Sequence, residues 1–490
     1  MNYRLNHLQP ATVWQYFEDI CQIPHPSKQE EKLGAFLMDF AKKHNLEAKQ
    51  DKVGNVIIKK SASKGFEKKK TVVLQSHIDM VCEKNADKEF DFDKDAIQPV
   101  IDGEWVRAEG TTLGADDGIG VATSLALLAD NTIEHGALEC LFTVDEETGL
   151  TGASAMESGF MTGDILLNLD SEDEGEIFIG CAGGGDTIAV FNYEKEPAPA
   201  NYIAYKVWIK GLTGGHSGDE IDKGRGNAIK ILNRFLFDAT VNLDVCLAQI
   251  SGGNKHNAIP REACATIVVP DWNDKKWDAM FQKLYAEITN ELSVREPNFN
   301  AFYEKTTLPE TVIDLKTQYH LIASLYACPH GVIAMSAKMP GLVETSTNLA
   351  SIKMDVEKYT ITVGTSQRSS VESSKTDVMY MVENVFALAD AEVTHGDGYP
   401  GWDPNPNSEI LKIAVETYKK LFGKEPVVRA IHAGLECGLF LEKYPHMDMI
   451  SYGPTLRLVH TPEEKIEIAT VDKFWKHTLE ILKNIPEVKN

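Results

Sequence analysis

Residues 71–80 read Thr-Val-Val-Leu-Gln-Ser-His-Ile-Asp-Met. A run of strand formers, Thr71–Gln75, leads straight into Ser76, His77, Ile78 and Asp79. Extended backbone alternates its side chains, which puts His77 and Asp79 on one face. The strand therefore delivers an imidazole and a carboxylate to its carboxyl end. In open α/β sheets, ligand sites form at that end. On its own the pattern also suits a hydrogen-bonded structural histidine.

The patterning around this strand predicts an α/β domain. Pro10 to His44 carries helical periodicity, with Ser27 as a candidate cap before Leu33–Ala41. Asn55–Lys59, Leu138–Val144 and Asp164–Leu169 read as strands. Gly118–Ala129 is apolar nearly all round and reads as a buried helix. From about Asp186 the pattern changes to strand–helix α+β modules laid out twice. The first holds Ile203–Ile209, Asn227–Phe237, Ala263–Val269 and Lys275–Leu292. The second holds Val332–Met339, Leu342–Lys353, Lys358–Val363 and a helix near Val378–Ala391. After Pro400 the α/β pattern resumes with Asn407–Phe422, Met449–Tyr452 and Val471–Ile485. The order predicts an α/β domain interrupted by a large insertion.

The 490 residues suit two to four domains. With 49 Lys+Arg against 73 Asp+Glu the formal charge is −24. Such a chain repels phosphate backbones and anionic lipid, so no nucleic-acid or membrane partner is expected. The eight cysteines are scattered without a C-x-x-C pair. That argues against a disulfide framework or a thiolate zinc site. The N-terminus shows no secretion signal and no segment reaches a membrane-spanning length. A soluble, cytoplasmic setting is the expectation.

Four further segments carry carboxylates or histidine. Asp116 and Asp117 open the buried helix in a Gly-rich turn, where an N-cap reading also holds. Asp145, Glu146 and Glu147 leave the strand 138–144; adjacent carboxylates there are costly unless cations compensate them, or unless the loop is solvated. Asp170 closes the strand 164–169. His460 lies far away in Leu458–Glu464. Together they form an oxygen-and-imidazole donor set without thiolate, which suits zinc, or manganese or cobalt. Two cations ~3.5–4 Å apart need a bridging carboxylate and a base. Asp116 could bridge, and Glu146 could act as base beside a ligating Glu147.

The stretches SHIDMV (76–81), GTTLGADDGIGVA (110–122), FTVDEETGLTGA (142–153), LLNLDSEDEGEIFIGCAGG (166–184), GLTGGHSGDEI (211–221), GGNKHNAIP (252–260) and LVHTPEEKIEI (458–468) resemble the M20 metallopeptidase family. Within it they resemble most the aminoacyl-histidine (Xaa-His) dipeptidase branch, the PepD-type carnosinases. The resemblance implies a di-metal aminopeptidase-like catalytic domain, residues 1–185 and 399–490, with an inserted α+β lid at 186–398. It implies that His77, Asp116 and Asp170 bind one divalent ion, expected to be Zn2+ with Mn2+ or Co2+ as alternatives. Asp116, Glu147 and His460 would bind the other, with Asp116 bridging. Asp79 would orient His77. Glu146 would be the general base for a metal-bridging water.

In the lid, the resemblance implies that His216 holds the oxyanion, that Asn257 contacts substrate and that Arg368 grips the terminal carboxylate. The backbone at Gly434 would approach the peptide. The expected substrate is a dipeptide such as Xaa-His or β-Ala-His, entering between lid and catalytic domain. Two lid modules could complete the site within one chain, as a monomer or a homodimer. An aminoacylase, deacetylase or tripeptidase would share the metal shell, and a non-catalytic binder would have no use for Glu146. A nucleotide site at GADDGIG or GCAGGG lacks a P-loop lysine and Rossmann spacing.

Overall fold

A computed structural model describes residues 3–488. The chain divides into two compact units. The first comprises the chain up to Gly180, Pro404–Ala430 and the chain from Leu435 onward; the second comprises Cys181–Asp403 and Ile431–Gly434.

The first unit is built on an eight-stranded sheet. Its centre is four parallel strands in the order Leu138–Thr143, Val72–His77, Ile165–Asn168 and Asp448–Ser451. Val73, Leu74, Leu141, Leu166, Leu167 and Ile450 are fully buried there. Burying each such side chain stabilises the fold by ~1.5–3 kcal/mol. Strands buried on both faces are near-continuously apolar, which is why they are legible as short hydrophobic runs. The helix Ala115–Ala129 packs on Ala11–Cys21 and on the strand Val72–His77, and Glu409–Phe422 packs on Ile468–Asn484. A separate four-stranded sheet joins Leu456–Arg457, Lys465–Glu467, Trp105–Ala108 and Pro99–Asp102. These strands are too short to leave a hydrophobic period, and the sequence patterning misses them.

Ser27 does not cap a helix. The second helix is Glu31–Lys43, preceded by Glu30. The Ser27 hydroxyl instead donates to Asp79 Oδ2 at 2.8 Å.

The second unit holds two βαββαβ modules of the ferredoxin-like type. One runs Tyr202–Lys210, Ala228–Leu243, Cys246–Gly252, Ala263–Pro270, Asp274–Leu292 and Asn300–Lys305. The other runs Gly183–Asn192, Leu315–Ala327, Val343–Asp355, Thr360–Ser369, Glu372–Ala387 and Glu392–His395. In both, the sheet order is fourth, first, third, second strand. The two second strands pair antiparallel through Ser251–Lys353 and Gly252–Ile352, which makes one continuous sheet. A single core that includes Phe235, Trp277, Phe281, Leu321, Ile361 and Phe386 runs under both halves.

The modules are nested rather than consecutive: the first strand of the outer one, Gly183–Asn192, precedes the whole inner one. That strand starts on three glycines, and the first two sit where neighbouring atoms leave no room for a side chain. A Cβ on Gly183 would meet Gly401 N at 2.5 Å, and one on Gly184 would meet the Tyr399 ring at 2.7 Å. The run Gly183–Gly185 is the start of this strand.

Candidate functional site

All seven carboxylates and imidazoles expected at the metal centre lie in the first unit, and the fold brings them together. Three parallel strands supply most of them. Val72–His77 ends in His77 and leads to Asp79; Leu138–Thr143 leads to Glu146 and Glu147; Ile165–Asn168 leads to Asp170. Asp116 lies in the first turn of Ala115–Ala129, at a cis Asp116–Asp117 peptide bond. His460 lies on the loop between Leu456–Arg457 and Lys465–Glu467.

Ligand atoms of His77, Asp116 and Asp170 lie within 4.8 Å of one another. The same holds for Asp116, Glu147 and His460, and for His77, Glu146 and Glu147. Asp116 is shared oxygen by oxygen. Its Oδ1 lies 3.0 Å from His77 Nε2 and its Oδ2 lies 3.1 Å from His460 Nε2. Asp170 Oδ1 is 3.5 Å from His77 Nε2, and Glu147 Oε1 is 3.0 Å from His460 Nε2.

Asp79 organises two strand ends at once. The His77 ring Nδ1 lies 3.0 Å from the Asp79 carbonyl and 3.4 Å from its Oδ1. The Asp79 carboxylate also accepts the Glu146 N–H at 2.9 Å and the Glu147 N–H at 3.2 Å. Burial opposes its ionisation, but His77 and these donors hold its pKa down at about 2.

The electrostatics report an unmet demand for positive charge. Burial alone would depress His77, yet Asp170, Asp116 and Asp79 raise its pKa well above 6.5. Hydrogen bonds to Asp116 and Glu147 push His460 up to about 11. Burial, with neighbouring carboxylates, pushes Glu146 and Asp170 well above the usual carboxylate range. Among the described residues no Lys or Arg forms an ion pair with any of these groups. Divalent cations would meet that demand and turn both imidazoles into neutral ligands. The donor set therefore fits two such ions.

A fourth acidic group, Glu30, Asp79 and Asp145, is different. Glu30 accepts the Lys28 and Asp145 N–H groups at 2.8 and 3.0 Å, and Asp145 accepts the hydroxyls of Thr148 and Thr151. Its oxygens are already engaged in shaping the turn that presents Glu146. Glu436, without a role from the sequence, is buried and accepts from Gln75 Nε2 at 2.6 Å and Thr143 Oγ1 at 2.9 Å. It braces the two strands that lead to His77 and to Glu146.

The second unit gathers its own cluster. Gly215–His216 pairs with Ala258–Ile259, and the Ser217 N–H donates to the Asn257 carbonyl at 2.9 Å, so the His216 and Asn257 loops are joined. His216 Nδ1 accepts the Gly218 and Asp219 N–H groups, both at 3.3 Å. This assigns the ring proton to Nε2. Burial, then Arg368, lowers its pKa and keeps it neutral.

Arg368 is buried near the end of Thr360–Ser369. Its Nη1 donates to the Tyr399 hydroxyl at 3.0 Å, while its Nε is buried without a partner. Gly434 packs on the other edge of the Tyr399 ring, where a Cβ would lie 2.7 Å from Cε2. His432 Nε2 lies 2.7 Å from Ser346 Oγ, and burial with Arg368 lowers its pKa to about 3. Sequence reasoning misses Tyr399 and His432, because neither carries a local signal beyond its residue type.

The family described as Peptidase family M20/M25/M40 matches residues 73–484. The chain is 44% identical over 485 residues to the cytosol non-specific dipeptidase of Escherichia coli strain K12, covering 98% of this chain and 99% of that protein. It is similar to the solved structure of an aminoacylhistidine dipeptidase from Vibrio alginolyticus, with a TM-score of 0.94 and 45% identity, covering 100% of this chain and 99% of that one. A tripeptidase from Staphylococcus aureus shares the fold at a TM-score of 0.56 and 16% identity, covering 98% of this chain and 99% of that one. No described helix is long and apolar enough to cross a membrane.

Proposed function

This chain belongs to peptidase family M20/M25/M40, and on that premise we propose that it hydrolyses Xaa-His and related dipeptides, β-Ala-His among them, with two divalent cations. The observation that carries the reading is the double use of Asp116, one oxygen beside His77 and the other beside His460. His77, Asp116 and Asp170 would hold one ion and Asp116, Glu147 and His460 the other. Zinc suits this imidazole–carboxylate set, with manganese or cobalt as substitutes. When bound, such ions polarise the scissile carbonyl and lower the pKa of water.

The chain's own residues supply the rest. Glu146 takes the proton of the attacking water and returns it to the leaving amine. A carboxylate whose pKa is raised by burial suits both tasks. Asp79 fixes the His77 ring and the backbone that presents Glu146 and Glu147. His216, with its proton on Nε2, offers a donor to the developing oxyanion, a contribution of ~3–4 kcal/mol for such a donor. Arg368 would take the terminal carboxylate of the dipeptide as a charge-assisted fork, which limits substrate length. Asn257 and the backbone at Gly434 would complete the substrate contacts. Residues 186–398 would act as the lid of a catalytic domain formed by 1–185 and 399–490. A relative named for the cytosol supports a cytoplasmic setting.

The test is a substrate panel on metal-stripped protein, with zinc, manganese or cobalt added back. The expected result is metal-dependent cleavage of Xaa-His, β-Ala-His and other dipeptides. Cleavage confined to tripeptides or N-acyl amino acids would assign a sister activity. No cleavage with any metal would leave a binding protein.

A further inference from the structure

The helix Ala115–Ala129 begins badly by local rules. Gly114 stands at its N-cap with φ 70°, and no side chain of its own segment caps it. The first N–H groups of a helix have no partner within the helix. Here a single distant carboxylate takes them. Glu464 Oε2 accepts from Leu113 at 2.8 Å and Gly114 at 3.1 Å. Its Oε1 accepts from Ala115 at 2.8 Å and Asp116 at 3.4 Å.

Glu464 is 2% exposed. Among the described residues no Lys or Arg forms an ion pair with it, and the partners of its two oxygens are these four N–H groups at the helix terminus. One of the four donors is the amide of Asp116 itself.

The other end of this tie is the His460 loop. Leu458 and His460 sit at φ 56° and 62°, left-handed conformations that cost ~1–3 kcal/mol each and persist only where the surroundings fix them. The Thr461 hydroxyl donates to the Leu458 carbonyl at 2.7 Å, and the Glu464 N–H donates to the Thr461 carbonyl at 3.0 Å. The strand after the loop, Lys465–Glu467, pairs with Trp105–Ala108, the strand that leads to residues 113–116. Both loops thus spring from one small sheet, and the Glu464 side chain, at the foot of the His460 loop, ties it to the turn 113–116.

We infer that Glu464 is a positioning residue that fixes the spacing between Asp116 and His460, and thereby sets the affinity for the ion those two residues hold with Glu147. The inference rests on the reading of these three as ligands. A glutamine at 464 would keep one acceptor oxygen but turn an NH2 group toward N–H donors, so the tie would slacken on one side. Outer-shell partners of this kind typically change metal affinity by about 10–100-fold.

The test measures Zn2+ affinity and stoichiometry by competition with a chromogenic chelator, with thermal unfolding of each metal-free protein alongside. Glu464→Gln should weaken the second Zn2+ by about 10–100-fold. Glu464→Asp, which keeps the carboxyl group but shortens the reach, should fall between it and the native protein. Glu463→Gln, at the exposed neighbour, should bind as the native protein does. A folded Glu464→Gln variant with a lower midpoint but native affinity for both ions would overturn the inference. So would failure of both 464 variants to fold, since the residue would then serve the fold alone. His460→Ala separates the premise: if it keeps both ions, the ligand reading fails, whatever the 464 variants do.

Discussion

The cluster at the strand ends of the first unit and the cluster in the second unit are built from opposite charges. The first has five carboxylates and two imidazoles, and its close contacts run among themselves. Its histidines are driven toward protonation. The second has a buried arginine with an unpartnered Nε and two histidines driven toward neutrality. The contrast defines the counter-charge that each cluster would take. The first would be balanced by cations and the second by an anion, the parts that the metal ions and the substrate carboxylate would play in the proposed reaction. A net charge of −24 conceals this division.

The largest effect that could break the comparison is at Asp116. Asp116→Ala should lose both ions and with them all turnover, measured by metal analysis of the purified variant. Full occupancy would remove the shared-carboxylate reading.

Next is the anion side. Arg368→Ala should raise KM for free-carboxylate dipeptides by about 10–150-fold, the size of a lost hydrogen bond to a charged group, and much less for amidated analogues. Tyr399→Phe, which removes only the hydroxyl that Arg368 contacts, should raise KM about 2–12-fold, with kcat nearly native. Equal effects on amidated substrates would show that neither residue reads the carboxylate.

The smallest effect concerns pH. Burial lowers His432 to about 3 and His330, also in the second unit, to about 4. Their unfolded values lie near 6.5. The unfolded chain therefore binds more protons below that pH, and stability falls as pH drops from ~6.5 toward ~4. At pH 5 each group should cost about 2 kcal/mol. The thermal midpoint should fall between pH 7 and pH 5, and less so in His432→Gln. A fall of the same size in that variant would contradict the buried, neutral histidine.

Much of the candidate metal centre is legible in the sequence because its residues follow local signals, whereas His460 enters only through the family resemblance. His77, Glu146 and Asp170 come directly after short apolar strands, and Asp116 opens an apolar helix. What escapes depends on partners remote in sequence. Glu464 looks like one more surface acid until its four donors around Gly114 are known. Ser27 has the residue type of a cap but spends its hydroxyl on Asp79. The strand Gly183–Asn192 opens on glycines whose reason lies remote in sequence, Gly401 beside Gly183 and the Tyr399 ring beside Gly184, and with it the nesting of the two modules. Tyr399 has no neighbour in sequence that hints at Arg368.

The central claim is that the carboxylate-rich centre works by a base, Glu146, acting beside bound ions. It is tested most directly by Glu146→Gln, assayed for Xaa-His turnover and metal content on the same sample. In that variant kcat should fall by about 10²–10⁴-fold while both ions stay bound. Native kcat with both ions in place would contradict it.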